Sequence, residues 1–108
     1  MLEHVEKVQL QRLINARGKH ICQVVWSNYQ IGALFQVKTE SGTTYLFEMT
    51  QIEPPRSNVV RGAQEGERRR VGYLGNYEVI SKHLSVGEII HCEEMATSPI
   101  RHIALLSS

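Results

Sequence analysis

The sequence predicts an α+β domain: an N-terminal amphipathic helix followed by a curved antiparallel sheet, or small partly open barrel, of five to six strands. Apolar residues recur at helical spacing near the start of the chain. Further along, apolar and polar residues alternate in short runs separated by turn residues. With 108 residues, 42% of them apolar, the chain is long enough for one core. We therefore predict a single domain over residues 1–108.

The N-terminal segment, residues 2–17, is predicted to be a helix. Its apolar residues form one broad face, and its charged and amide side chains lie largely opposite. The apolar face consists of Leu2, Val5, Val8, Leu10, Leu13 and Ile14. Gly18 follows at a position where helices commonly end. A strand through Val8 and Leu10 that turns before Gly18 is the alternative interpretation.

The sheet is predicted over residues 20–53 and 71–106, and its clearest part is a hairpin that turns at Ser41 and Gly42. Side chains alternate between the two faces of a strand, so every second residue should enter the core. The predicted inward residues are Phe35, Val37, Thr39, Tyr45, Phe47 and Met49. Gln36 and Lys38 should face water. The last strand should begin after Pro99, which can head a strand without losing a needed donor.

Composition makes several classes of protein less favoured. Twelve Lys and Arg against eleven acids leave a net charge of +1, which argues against a protein that coats polyanions. All eleven acids are glutamate, so classes that depend on aspartate, such as many calcium loops, become less favoured. We predict no cofactor. We also predict no metal site, because His20 and Cys22 would share one face of a strand whereas His91 and Cys92 would point to opposite faces.

The N-terminus is too charged for a signal peptide, and no apolar run approaches the roughly 18 to 20 residues that span a bilayer. We therefore predict a soluble cytoplasmic protein with no membrane partner. Cys22 and Cys92 lie in apolar-rich segments, so both thiols are predicted to be reduced and buried.

Residues 54–70 are predicted to form a polar surface loop, which begins at Pro54 and contains glycines. The loop holds Arg56, Arg61, Arg68, Arg69 and Arg70, five of the eight arginines. Arginine pairs bidentately with phosphate, so this loop is the predicted partner-binding surface, with Tyr73 as a neighbouring aromatic ring. Strand alternation would put Arg68 and Arg70 on one side, which makes them the main candidates.

Three functions follow from these features. The first is a non-enzymatic binding module whose arginine-rich loop engages nucleic acid or an acidic protein surface. The second is a small metal-independent ribonuclease or toxin, in which His102 and Arg101 on the last strand act with loop arginines and with His91 and Glu93 on the expected neighbouring strand. The third is a structural homo-oligomer. A homodimer is expected in any case, because a helix with Val8 and Ile14 at the margins of its apolar face could offer a strip to a second copy.

Overall fold

The computed structural model describes residues 2–62, 71–81 and 83–108, and it confirms one N-terminal helix followed by antiparallel sheet. A short 3₁₀ helix, Leu2–His4, precedes helix α1 (Lys7–Asn15), and a second 3₁₀ helix spans Trp26–Asn28. The strands are β1 (Lys19–Ile21), β2 (Gln23–Val25), β3 (Leu34–Thr39), β4 (Thr44–Gln51), β5 (Arg56–Arg61), β6 (Gly72–Glu78), β7 (His83–Ser85), β8 (His91–Cys92), β9 (Met95–Ala96) and β10 (Ile100–Ser107).

The main sheet has six strands in the order β1-β10-β3-β4-β5-β6, and each neighbouring pair is antiparallel. The last strand, β10, therefore lies between two strands from the first part of the chain. Strands β1 and β6 form the two edges, so the sheet is not closed. Two-stranded sheets, β2 with β7 and β8 with β9, accompany it. The partly open barrel stays a prediction.

The predicted hairpin is present as β3 and β4, with Phe35 opposite Phe47 and Val37 opposite Tyr45. All six residues predicted to face inward are buried. Gln36 was predicted to face water, and this is wrong because its side chain is 2% exposed.

The amide of Gln36 ends helix α1. Its Nε2 donates to the carbonyl oxygens of Leu13, Ile14 and Ala16 at 3.1, 2.8 and 2.9 Å. The last carbonyls of a helix have no partner within the helix, so a buried amide that supplies donors is favourable at this point. The helix predicted over residues 2–17 is therefore shorter in the structure. It begins at Lys7, after the 3₁₀ helix, and it ends at Asn15, where its C-terminal end is held on β3.

The loop predicted over residues 54–70 is wrong in its first part, because Arg56–Arg61 forms β5 inside the main sheet and pairs with both β4 and β6. The turn before it contains a cis peptide bond between Glu53 and Pro54. Ser57 and Asn58 are buried. Because these residues are polar and an arginine stands at each end, the segment lacks the apolar alternation that indicates a strand. Residues 63–70 lie outside the described part of the chain.

Two apolar clusters lie on the two faces of the main sheet. The larger packs the sheet against the segments around β2, β7 and β8, and it includes Trp26, Phe35, Phe47, Leu84 and Ile90. The smaller lies beneath α1 and includes Leu10, Ile14, Leu34, Leu46 and Val60. Full burial of each such side chain contributes about 1.5–3 kcal/mol. Helix α1 therefore covers the middle of one face of the sheet, which we call the helix-side face.

Two further predictions bear on the surface. Val8 is 65% exposed, whereas Ile14 is only 5% exposed and packs in the cluster beneath α1, so Ile14 offers no strip to a second copy. The homodimer stays a prediction. Cys92 is buried as predicted, but Cys22 is exposed, because β1 is an edge strand and the chain turns directly after it. Within the described ranges, no helix is long and apolar enough to cross a membrane.

Candidate functional site

Basic side chains from three strands meet on the helix-side face beyond the C-terminal end of α1. Lys38 on β3 is directly opposite His102 on β10, and paired residues of this kind have Cβ atoms about 4.5–5.5 Å apart. His20 on β1 stacks on His102, with ring centroids 4.4 Å apart and ring planes inclined by 21°. Arg101 precedes His102. We call His20, Lys38, Arg101 and His102 the basic cluster.

Gly18 allows β1 to reach its place beside β10. A Cβ atom at this position would overlap the carbonyl oxygen of Leu105 and lie 2.8 Å from a methyl carbon of Leu106. Such contacts require one of the two segments to shift, so only glycine fits without rearrangement. The register that follows places His20 opposite Ala104, whose small side chain leaves the two imidazole rings free to meet.

A β-bulge at Arg101 arranges the other end of the cluster. Ile100 pairs with Thr39 and His102 pairs with Lys38, so β10 has one more residue than β3 over this interval. A bulge interrupts the alternation of side chains between faces and re-aims them. Arg101, which is exposed, is therefore not forced onto the face opposite His102.

The basic cluster generates a positive field. The pKa of His102 is lowered, first by burial and then by the like charges of His20, Lys38 and Arg101. The ion pairs recorded between described residues involve none of the members of the cluster. A bound anion would relieve the repulsion among these groups, so the arrangement favours a ligand that carries phosphate or carboxylate.

A second polar group lies on the helix-side face near the start of the N-terminal segment, whereas the basic cluster lies beyond its end. We call this group the asparagine network, and it consists of Glu3, Glu48, Asn58, Tyr73 and Asn76. Nδ2 of Asn58 donates to Oε2 of Glu3 at 2.6 Å and to Oε1 of Glu48 at 2.8 Å. Its Oδ1 accepts from the hydroxyl of Tyr73 at 2.8 Å and from Nδ2 of Asn76 at 3.0 Å. Through Asn58 the network joins the N-terminal segment to β4, β5 and β6.

Arg56 extends the network toward β8. Its Nε donates to Oδ1 of Asn76 at 2.9 Å, and one terminal nitrogen donates to Oε1 of Glu93 at 3.1 Å. The same Glu93 oxygen accepts from the backbone N–H of Glu78. Burial, followed by the charge of Glu3, raises the pKa of Tyr73. These groups bond to one another, so the network supports the fold rather than offering free donors to a ligand.

The predicted site residues are thus distributed over several places. Arg56 and Tyr73 belong to the asparagine network, and Arg61 is half-buried at the end of β5. The predicted binding residues Arg68, Arg69 and Arg70 lie outside the described residues.

The predicted catalytic set does not converge on one point. His91 is exposed on β8, Glu93 contacts Arg56, and His102 stacks on His20. Because β10 pairs with β1 and β3, it is not the neighbour of β8 that the sequence suggested.

Sequence reasoning did not identify two members of the basic cluster as site residues. The sequence pattern predicts only that Lys38 faces water, and it offers His20 only as a metal ligand. Alternation does place Lys38 on the face opposite the core, which is a usable signal. The missing information was the register that sets β10 between β1 and β3.

Two other features of the described chain are separate from the basic cluster. No group of three or more His, Cys, Asp or Glu is positioned to hold a metal ion among the residues described. A cavity of about 300 Å³ lies beside β2 and the turn before β5, and it is lined by Gln23, Val25, Trp26, Ser27, Ile52, Glu53, Pro55 and His83. Its lining includes none of the predicted site residues.

Comparisons with models of protein families, with curated proteins and with solved structures found no match to the chain. A function for the protein is therefore inferred from the geometry of the basic cluster.

Proposed function

We propose that the protein binds a phosphate-bearing partner, single-stranded nucleic acid, through the basic cluster. The observation that carries this proposal is the stacking of His20 on His102 with Lys38 directly opposite His102. Basic groups on three strands lie close together here, and like charges repel. This repulsion lowers the stability of the fold unless an anion binds. The proposed partner is anionic, as expected from the sequence. The basic cluster is a candidate surface for it in addition to the predicted arginine loop.

Single-stranded nucleic acid suits the cluster better than an acidic protein surface does. His20 is exposed on an edge strand, and an imidazole ring can stack on an unpaired base. Lys38 and Arg101 are then available for the adjoining phosphates. Proteins that bind single strands combine stacking rings with a basic groove, and here the ring and the cations lie together. Tyr73 gives less support, because its hydroxyl is held by Asn58.

The test is the salt dependence of binding. A fluorescent DNA oligonucleotide is titrated with the wild type, Lys38→Gln and Arg101→Gln while anisotropy is recorded at several salt concentrations. Each phosphate contact contributes about 0.7 to the slope of log K against log salt for a single strand. Each substitution should therefore weaken binding and flatten the slope by about 0.7.

Matched controls come from helix α1, where Lys7 and Arg12 are exposed. Lys7→Gln and Arg12→Gln remove the same charges but lie outside the basic cluster, so they should leave the slope unchanged. If the controls weaken binding as much as Lys38→Gln does, the cluster is not the binding surface. If a polyglutamate peptide of equal charge competes as well as the oligonucleotide, the partner is an acidic protein surface instead.

The arginine triplet is tested in parallel. Replacing Arg68, Arg69 and Arg70 by alanine removes charges from the predicted loop. If this variant alone flattens the slope and Lys38→Gln has no effect, the predicted loop is the binding surface and the basic cluster is not. If both variants flatten it, the partner contacts both surfaces.

A further inference from the structure

We infer that the basic cluster also cleaves RNA without a metal ion, with His102 as the general base and His20 as the general acid. This inference rests on the proposed function, because RNA must bind at the cluster before it can be cut. It replaces the catalytic set expected from the sequence, in which His102 would have acted with His91 and Glu93.

The stacked rings place two proton-transfer groups side by side. The centroids are 4.4 Å apart and the planes are within 21° of parallel, so the edges of the two rings can face the same substrate. When a sugar hydroxyl attacks phosphorus, the entering and leaving oxygens lie on opposite sides of it, separated by slightly less than this ring spacing. One ring edge can therefore reach each oxygen at hydrogen-bond distance, which acid and base catalysis requires.

The two rings differ in their surroundings. His102 is partly buried, whereas His20 is exposed on the edge strand β1. Burial disfavours the charged form of His102, which assigns His102 as the base and His20 as the acid. The other charged groups acting on His102 are Lys38 from β3 and Arg101 from β10, and both favour its neutral form.

The reaction conserves atoms and charge. Neutral His102 takes the proton from a ribose 2′-hydroxyl, and the 2′-oxygen forms a bond to the adjacent phosphorus. The bond from phosphorus to the 5′-oxygen of the next nucleotide breaks, and protonated His20 gives its proton to that oxygen. The products are a 2′,3′-cyclic phosphate and a 5′-hydroxyl. Lys38 and Arg101 stabilise the negative charge that builds up on the other phosphate oxygens.

The experiment uses two labelled oligonucleotides of the same sequence, one all DNA and one with a single ribonucleotide. Both are incubated with the protein in EDTA and resolved on a denaturing gel. We expect cleavage at the ribonucleotide alone, a cyclic phosphate end, and a rate that passes through a maximum with pH. His20→Asn and His102→Asn should each lower the rate at least about 100-fold. Binding of the all-DNA strand should fall far less.

His91→Asn is the matched control, because His91 is also an exposed histidine on a strand. It lies on β8, away from the basic cluster. The variant should cleave at the wild-type rate. Cleavage that survives in His20→Asn and His102→Asn, or that is lost in His91→Asn alone, overturns the inference. If His102→Asn does not fold, the exposed edge-strand variant His20→Asn decides the matter. Binding of DNA without any cleavage of RNA overturns the inference and leaves the proposed function standing, whereas absence of binding overturns both.

Discussion

Replacing Asn58 by leucine should destabilise the protein, because this side chain joins the N-terminal segment to three strands of the sheet. The change removes hydrogen bonds to two carboxylates, and bonds to charged groups contribute about 1.5–3 kcal/mol each. Glu48 is only 9% exposed, so water replaces its lost donor poorly, although it retains the backbone N–H of Leu2. The Glu3 side chain is 26% exposed and recovers part of its loss from water. We expect the free energy of unfolding to fall by about 3 kcal/mol.

Urea denaturation followed by tryptophan fluorescence measures this change. Trp26 is the single tryptophan and is 2% exposed, so its emission reports loss of the core. With a slope of about 1–3 kcal/mol per molar urea, the midpoint should fall by roughly 1–3 M. Asn58→Asp adds a second test. The new carboxylate would face Glu3 and Glu48, so its destabilisation should shrink at acid pH, where a protonated carboxyl can donate a hydrogen bond.

Asn28→Leu is the matched control, because Asn28 is exposed in a short 3₁₀ helix, and a surface change of this kind costs within about 0.5 kcal/mol. A loss in Asn58→Leu no larger than that of the control would refute the reasoning. So would an Asn58→Asp variant whose stability, relative to the wild type, does not improve on acidification.

Three further predictions concern other positions. Cys22 is exposed whereas burial raises the pKa of Cys92 to about 11, so a thiol reagent should consume one thiol rapidly in the native protein, and Cys22→Ser should remove that fast phase. The pKa of His102 is lowered on folding, so its contribution to stability is complete above the ordinary histidine pKa of about 6.5 and is lost as the pH falls below that value. The wild type should therefore lose more stability on acidification than His102→Gln does. Urea titrations at several pH values would show this difference. Gly18→Val should cost about 1–3 kcal/mol and weaken oligonucleotide binding, whereas Gly72→Val, where a Cβ meets no atom within 4 Å, should preserve binding; equal effects of the two glycine variants would contradict the role given to Gly18.

The fold was predictable where local pattern and burial agree. The hairpin of β3 and β4 alternates regularly, and its aromatic side chains enter the core as expected. Strand β5 was missed because Ser57 and Asn58 are polar yet buried, and their hydrogen-bond partners lie on β4, on β6 and, for Glu3, near the start of the chain. Alternation alone cannot reveal such partners. Gln36 was misplaced for the same reason, since its acceptors are the last carbonyls of helix α1.

The candidate site was less predictable than the fold. The sequence predicts a role for His102 but pairs it with residues of the wrong strand, because residue type and spacing do not specify which strands become neighbours. His20 and Lys38 are separated from His102 by most of the chain. Their proximity depends on β10 pairing with both β1 and β3. The bulge at Arg101 contains no distinctive residue from which it could be predicted.

The position of β10 also has a consequence for how the protein acquires its site during synthesis. Until residues 100–107 have left the ribosome, β3 has an unpaired edge and β1 has no partner in the main sheet. Those open edges are places where a nascent chain can associate with another chain. The insertion of β10 covers the inner edges and, in the same step, brings His102 between His20 and Lys38. A partly synthesised chain would therefore lack the assembled basic cluster, and the proposed binding could begin only after β10 has been inserted.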